Sequence, residues 1–95
     1  MYAVIGRVTI KPGYEEQSRS MIASHGVPMI QGMAGSAGAY WARTLDGELI
    51  QHSFWLFDTE ENAREAEATF NRLRDMPDAP AVFVSVDVCE VVGQA

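Results

Sequence analysis

Strand-like and helix-like patterns follow one another along the chain in the order β-α-β-β-α-β. The strand-like segments are rich in β-branched and aromatic residues, whereas the helix-like segments place apolar residues three or four positions apart. We predict strands at residues 2–10, 38–44, 49–57 and 81–92, and helices at residues 14–25 and 59–75. This order is the split βαβ pattern of ferredoxin-like α+β folds. We therefore expect a four-stranded antiparallel sheet with two helices on one face.

Turn residues separate these elements and modify the first helix. Lys11-Pro12-Gly13 ends the first strand, and Asp46-Gly47 is a hairpin signal between the second and third strands. Gly26 and Pro28 should kink the first helix, because proline lacks an amide hydrogen and its ring crowds the preceding turn. We expect the helical path to continue after the kink to about residue 30 or 31.

The second helix begins with residues typical of a capping box. Asp58 precedes Glu61 by three positions, so its carboxylate can accept a hydrogen bond from the Glu61 amide. Pro77 and Pro80 then end the helix and open the last connection. The 95 residues suit one domain, spanning residues 1–95.

Alternation along the strands assigns side chains to two faces of the predicted sheet. The face expected beneath the helices carries Val4, Gly6, Val8, Ile10, Ile50, His52, Phe54, Leu56, Val82, Val84, Val86 and Val88. The second face carries the apolar residues Ile5, Trp55, Phe57 and Phe83. Monomers rarely expose so large an apolar patch, so we predict that it is buried in a two-fold homodimer. Arg7 and Asp87 lie on the same predicted face and could pair in the interface.

The charge balance excludes two classes of partner. Seven basic residues oppose thirteen acidic ones, which gives a formal net charge of −6, and no basic cluster occurs. Binding to nucleic acid or to an anionic membrane surface depends on clustered Lys and Arg, so neither partner is expected. The chain has a single cysteine, no signal-peptide pattern and no apolar stretch of about 20 residues that could span a bilayer. We expect a reducing, cytoplasmic location.

Several segments together resemble the antibiotic biosynthesis monooxygenase-like (ABM) family of the dimeric α+β barrel superfamily. They are the first strand running into Lys11-Pro12-Gly13, the long first helix, the loop Gln31-Gly32-Met33-Ala34-Gly35, the strand residues Tyr40-Trp41, and Phe57-Asp58-Thr59-Glu60-Glu61-Asn62-Ala63. The resemblance covers nearly the whole chain and implies a dimeric α+β barrel. Because the shared motifs are structural, they specify the fold better than the activity.

The family resembled includes cofactor-free quinone-forming oxygenases and haem-degrading enzymes. The haem-degrading branch uses an asparagine on the first strand, and a tryptophan and an iron-ligating histidine associated with the second helix. Here the asparagine position falls on Gly6 and the tryptophan position on about Ala66, and no histidine follows His52. The stretch Ser24-His25-Gly26-Val27 resembles a segment of that branch that does not supply the ligand. We therefore expect no haem degradation and no cofactor.

The two histidines are the candidate acid–base groups, since histidine can move protons near neutral pH. His52 is predicted on the helix-facing side, where Gly6 on the neighbouring strand would leave a gap suited to a small-molecule pocket. The alternative is a structural histidine held by hydrogen bonds. His25 lies at the weak point of the first helix, and its alternative role is that of a helix-end histidine satisfied by solvent or a carbonyl.

Aromatic residues could position a ring-shaped ligand, but each also has a structural alternative. Tyr40, Trp41 and Trp55 could stack on an aromatic substrate, or could be core and interface residues. Methionines around the first helix suit core filling or an adaptable apolar pocket. Cys89 has no basic neighbour in sequence, so we expect its thiol to be unreactive. The scattered His and Cys residues predict no metal site.

Two function hypotheses remain open at this point. The first is a cofactor-independent monooxygenase acting on an apolar or aromatic molecule between sheet and helices. In it, His52 is the proton acceptor, and Gly6, His25, Tyr40 and Trp41 contribute to substrate binding. The second is a non-catalytic, dimeric binding domain with the same pocket. The two differ in whether an ionisable group lines the pocket.

Overall fold

A computed structural model describes residues 1–95 and contains four strands and two helical regions. The strands are β1 (Tyr2–Ile10), β2 (Ser36–Arg43), β3 (Ile50–Phe57) and β4 (Ala81–Glu90). The first helical path comprises α1 (Glu15–Met21), a π-helical turn (Ile22–Gly26) and α2 (Val27–Gln31), and the second helical region is α3 (Glu60–Arg74). The predicted order of elements is confirmed. None of the helices is long and apolar enough to cross a bilayer.

The four strands form one antiparallel sheet in the order β2-β3-β1-β4. Both helical regions pack on the same face of this sheet, with α3 over β1, β3 and β4 and α2 against β2. This arrangement confirms the predicted ferredoxin-like α+β fold. The opposite face, which we call the open face, has no element of this chain above it.

The predicted kink in the first helix takes the form of a π-helical turn. Pro28 is the second residue of α2 and has no amide hydrogen to offer the preceding turn. The amide of Val27 bonds to the carbonyl of Ile22, five residues earlier. The helical path therefore continues to Gln31 with one widened turn. Such turns occur mostly as single-turn bulges inside α-helices, and they are frequent at functional sites.

The predicted faces are correct for β1 and wrong for β3. Residues directly opposite each other in an antiparallel pair share a face, and Val4 lies opposite Trp55. Trp55 and Phe57 are buried beneath the helices at 3% and 0% exposure. Consequently, Ile50, His52, Phe54 and Leu56 lie on the open face with Ile5. The helix-facing side takes the larger aromatic side chains, which bury more apolar area.

The strict valine alternation of β4 is interrupted by a bulge. Arg7 pairs with Ser85 but Val8 pairs with Phe83, so Val84 is the extra residue. The bulge turns Phe83 to the helix-facing side, where its ring centroid lies 5.0 Å from that of Phe70. Val82 and Val84 are more than half exposed instead of buried as predicted.

The hydrophobic core lies between the helices and the sheet, and the open face remains accessible. Core residues are Val4, Val8, Ile10, Ile30, Trp55, Phe57, Ala63, Ala66 and Phe70. The open face carries Ile5, Arg7, Tyr40, Ile50, His52, Phe54, Leu56, Val82, Val84 and Asp87. The predicted apolar open face is therefore present, but its members are different from those predicted, except for Ile5. Arg7 and Asp87 do share it.

The start of α3 differs from the predicted capping box by one residue. The N-cap is Thr59, whose Oγ1 accepts a hydrogen bond from the Asn62 amide at 3.1 Å. Asp58 accepts instead from the Asn62 side-chain amide, at 2.9 Å. Thr59 has the extended backbone of an N-cap, so its hydroxyl is the group that reaches the third helical residue.

Thr59→Ala should lower the free energy of unfolding by about 1 kcal/mol, because the Asn62 amide would lose its partner at the helix terminus. Asp58→Ala is the matched control and should cost less, since it removes only a solvent-exposed side-chain contact. Urea denaturation of both variants measures the difference. A larger loss in Asp58→Ala would contradict this start of α3.

Candidate functional site

A cavity of about 230 Å³ opens between the first helical path, the sheet and the α3–β4 connection. Most of its wall is apolar. The apolar side chains that line it are Met21, Ile22, Met29, Leu73, Met76, Pro77, Ala79, Pro80, Ala81 and Phe83. Ser18, His25, Gly26, Gln51 and Asp78 complete the wall. An apolar cavity with few polar groups is the usual form of a small-molecule site.

The local sequence explains why the cavity lies here. The π turn supplies Ile22, His25 and Gly26 to the wall. At Gly26 an added Cβ would lie 3.4 Å from the Trp41 ring, so the absence of a side chain lets the turn approach the sheet. Methionines complete the wall with flexible, polarizable side chains that adapt to the shape of a ligand.

His25 is the histidine that lines this cavity. Its Nδ1 lies 2.8 Å from the Ser24 hydroxyl oxygen, and that hydroxyl donates to the Ser20 carbonyl at 2.8 Å. A serine hydroxyl has only one hydrogen, so Nδ1 must carry the hydrogen of its bond to Ser24. In the neutral ring, Nε2 is then the acceptor nitrogen.

Two buried polar residues line the cavity, Ser18 from α1 and Gln51 from β3. Ser18 is 5% exposed and Gln51 is 8% exposed. The side-chain oxygen Oε1 of Gln51 accepts a hydrogen bond from Nη2 of Arg43 at 3.2 Å. Polar groups placed in an otherwise apolar wall fix the orientation of a ligand.

The predicted position of His52 is wrong. His52 pairs with Arg7 and Ala42 on the open face, and its ring is 6.4 Å from that of Phe54 on the same face. The whole thickness of the sheet separates it from the cavity. A proton acceptor at His52 therefore cannot reach a ligand held between helices and sheet.

The gap predicted beside Gly6 does not exist. Gly6 is buried beneath α3, and a methyl group built there would overlap the Phe70 ring and the Ser53 hydroxyl. Phe70 therefore fills the space that glycine leaves, and Gly6 permits close packing of helix on sheet. The predicted cavity is present, but it lies beside the first helical path and the α3–β4 connection instead of beside Gly6 and the Gly32–Gly38 loop.

Tyr40 and Trp41 lie on opposite faces of the sheet and cannot hold one ligand together. Tyr40 is 71% exposed on the open face. Trp41 points to the helices, where its ring lies 6.5 Å from that of Trp55. Of the predicted binding residues, only His25 lines the cavity. No group of three or more His, Cys, Asp or Glu side chains converges in the way metal ligands would.

Sequence reasoning missed Gln51 and the α3–β4 connection as parts of the site. Gln51 alternates with Trp55 and therefore shares its face, and that face is the helix-facing one in β3. The sequence carries no clear signal that Gln51 is buried, because both alternating sets of residues in β3 include large hydrophobic side chains. Met21 and Met29, two of the methionines around the first helix, line the cavity.

Comparison with solved structures finds the same fold in proteins of low sequence identity. The haem degrader MhuD from Mycobacterium tuberculosis, solved with two haems in its active site, has a TM-score of 0.76 and 18% identity over 100% of this chain and 99% of that one. A protein from Bordetella bronchiseptica named as an antibiotic biosynthesis monooxygenase has a TM-score of 0.68 and 18% identity, with 96% of each chain covered.

A dimeric ferredoxin-like protein from an uncultured marine organism is a third similar structure. Its TM-score is 0.69 at 10% identity, over 100% of this chain and 98% of that one. No protein-family model and no curated protein sequence matches the chain. The comparisons therefore establish the fold.

Proposed function

We propose that this protein is an ABM-like homodimeric domain that binds a small apolar or aromatic molecule in the cavity beneath the first helical path. The observation that carries the proposal is the cavity itself, which is walled by methionines, Leu73 and Phe83. Its volume of about 230 Å³ is below the roughly 300–1,000 Å³ of pockets for drug-sized ligands, so the ligand is small. Thioether and aromatic walls favour a planar ring.

The second copy of the dimer would cover the open face. That face presents Tyr40, Val82 and Val84 at more than half exposure, together with an exposed Arg7 and an exposed Asp87. Neither charge takes part in the protein's three salt bridges. A two-fold axis places the same patch on both partners, so Arg7 of each copy can meet Asp87 of the other. The dimeric ferredoxin-like relative supports this assembly.

A cofactor-independent oxygenase is the second candidate, and the hydrogen bonds of His25 favour it. His25 is an exposed residue at the cavity wall, and Nε2 is the acceptor nitrogen of its neutral ring. It could remove a proton from an activated CH₂ group, and the resulting carbanion could reduce O₂ directly. Conversion of CH₂ to C=O with O₂ yields one water, so the substrate supplies all the electrons. In this mechanism His25 replaces His52 as the base.

Haem does not fit the residues present. Haem iron is held by an axial ligand, and the resemblance implies a ligating histidine associated with the second helix, whereas this chain has no histidine in or after α3. Ala66 lies on the buried side of α3 and is 1% exposed, and the space at Gly6 is filled by Phe70. Titration of haemin into the protein should give no sharp Soret band at one haem per chain. Such a band would show that His25 or another residue serves as a ligand.

Calorimetric titration with 2-naphthamide tests the binding proposal. The wild-type protein should bind one molecule per chain. Ala79→Trp fills the cavity from the α3–β4 connection and should abolish binding, whereas Ala68→Trp adds the same group on the exposed side of α3 and should not. Absence of binding to the wild type, or equal binding to both variants, would contradict the proposal.

Oxygen uptake separates the two candidate functions. With 2-tetralone, whose CH₂ lies between a carbonyl and a ring, an oxygenase should consume O₂, and His25→Gln should stop this although the variant keeps the circular dichroism spectrum of the wild type. Binding of 2-naphthamide without oxygen uptake favours the binding domain.

A further inference from the structure

A second concavity adjoins the cavity and has a different character. It is lined by Arg19, Ile22, Trp41, Arg43, Thr44, Leu45 and Gln51. Ile22 and Gln51 also line the cavity described above, so the two spaces share one wall. Two arginines and no acidic residue face this second space. Because the chain carries a net charge of −6, a locally cationic site is unusual on this surface.

The Arg43 guanidinium lacks an anionic partner. Its Nη2 donates to the neutral Gln51 side chain at 3.2 Å, and its Nε is buried without any hydrogen-bond partner. None of the three salt bridges involves it. An unsatisfied buried donor is costly, and a charged one more so. A bound anion would compensate part of this cost.

Arg19 is placed to support the same anion. It lies on α1 at the edge of this concavity, and its side chain is 72% exposed. Its one ion pair, with Glu16, is 3.8 Å long on the surface. Exposed ion pairs of this kind contribute little to the free energy of unfolding, so Arg19 can leave Glu16 and turn toward a ligand with little loss of stability.

We propose that the ligand of the cavity is an amphipathic carboxylic acid, whose carboxylate binds Arg43 while its apolar body occupies the cavity. The inference rests on the proposed binding function and adds the chemical class of the ligand. A carboxylate matches the forked donors of a guanidinium and forms stronger hydrogen bonds than the Gln51 amide does. Because Gln51 and Ile22 form the shared wall, an extended molecule lying across them contacts both spaces.

The test compares 2-naphthoate with its neutral isostere 2-naphthamide by calorimetry. Wild-type protein should bind 2-naphthoate at least about tenfold more tightly, since charge-assisted hydrogen bonds are stronger than neutral ones. Added salt should weaken binding of 2-naphthoate and not of 2-naphthamide. Arg43→Gln should remove the preference, so that the two compounds bind this variant with similar affinity. Arg64→Gln makes the same charge change on α3, away from both spaces, and should behave as wild type.

Four results would overturn the inference or its premise. Equal wild-type affinity for both compounds contradicts the carboxylate site and leaves the apolar cavity standing. Failure of both compounds to bind contradicts the proposed function itself. A folded Arg43→Gln protein that keeps its preference for 2-naphthoate also contradicts the site. If Arg43→Gln does not fold, Arg19→Gln is measured instead, because replacing an exposed side chain should not unfold the protein. An unchanged preference for 2-naphthoate in Arg19→Gln would contradict a carboxylate site formed by Arg43 and Arg19.

Discussion

Phe54→Glu should separate the dimer into folded protomers. Phe54 lies on the open face, directly opposite Ile5 on β1 and Tyr40 on β2, at the centre of the surface that the second copy would cover. Burying an unpaired carboxylate in an interface costs several kcal/mol or more, which few dimers of this size can offset. Light scattering should change from about twice the 10.5 kDa chain mass to 10.5 kDa, with the circular dichroism spectrum unchanged.

Leu45→Glu is the matched control for this dissociation. Leu45 is 94% exposed in the β2–β3 hairpin, so the same kind of substitution should leave the dimer intact. Charge reversal adds a second check, because Arg7→Asp should weaken the dimer and Arg7→Asp with Asp87→Arg should restore it. A wild-type protein that is monomeric at micromolar concentration would rule out the interface.

Trp55→Glu should prevent folding altogether, although Trp55 is the next residue in the chain. Trp55 is 3% exposed beneath the helices, and its ring packs edge-on against Phe70 with centroids 5.7 Å apart. Loss of such an aromatic costs about 3–5 kcal/mol, and the buried charge adds several more. The sum is comparable with the whole stability of a small domain, about 5–15 kcal/mol.

Circular dichroism distinguishes the two neighbouring substitutions. Trp55→Glu should show no cooperative thermal transition, while Phe54→Glu should retain one. A folded, monomeric Trp55→Glu protein would mean that Trp55, and not Phe54, belongs to the interface. The register of β3 on β1 would then be off by one residue.

The order of elements could be predicted because each one carries its own local signal. Turn residues at Lys11-Pro12-Gly13 and Asp46-Gly47, and the periodicity within each segment, depend only on neighbours in sequence. Pro28 predicted an interruption of the first helix for the same reason. The sequence alone does not predict that the interruption is a π turn, because a kink, a break and a widened turn can each accommodate a proline without an amide hydrogen.

The face of β3 could not be predicted because both of its faces carry large apolar side chains. Alternation distinguishes two sets of residues but does not say which set meets the helices when each contains large hydrophobic side chains. Here the set with Trp55 and Phe57 is buried, and the set with His52 is not. Because the candidate base depended on this choice, the error at β3 became an error about the site.

The bulge in β4 was a second feature that alternation conceals. Strict alternation predicts Phe83 on the face opposite to the valines, but the extra residue Val84 places Phe83 on the helix-facing side. Bulges depend on how a strand fits its partner, so they leave little trace in a single strand's sequence. The cytoplasmic location predicted from composition stays a prediction.

The two histidines give a direct test of where the ligand binds, because they lie on opposite sides of the sheet. His25 lines the cavity and His52 lies on the open face. In nuclear magnetic resonance spectra of the histidine rings, adding 2-naphthamide should shift the signals of His25 and leave those of His52 in place. A shift of His52 with none at His25 would place the ligand on the open face and contradict the proposed site.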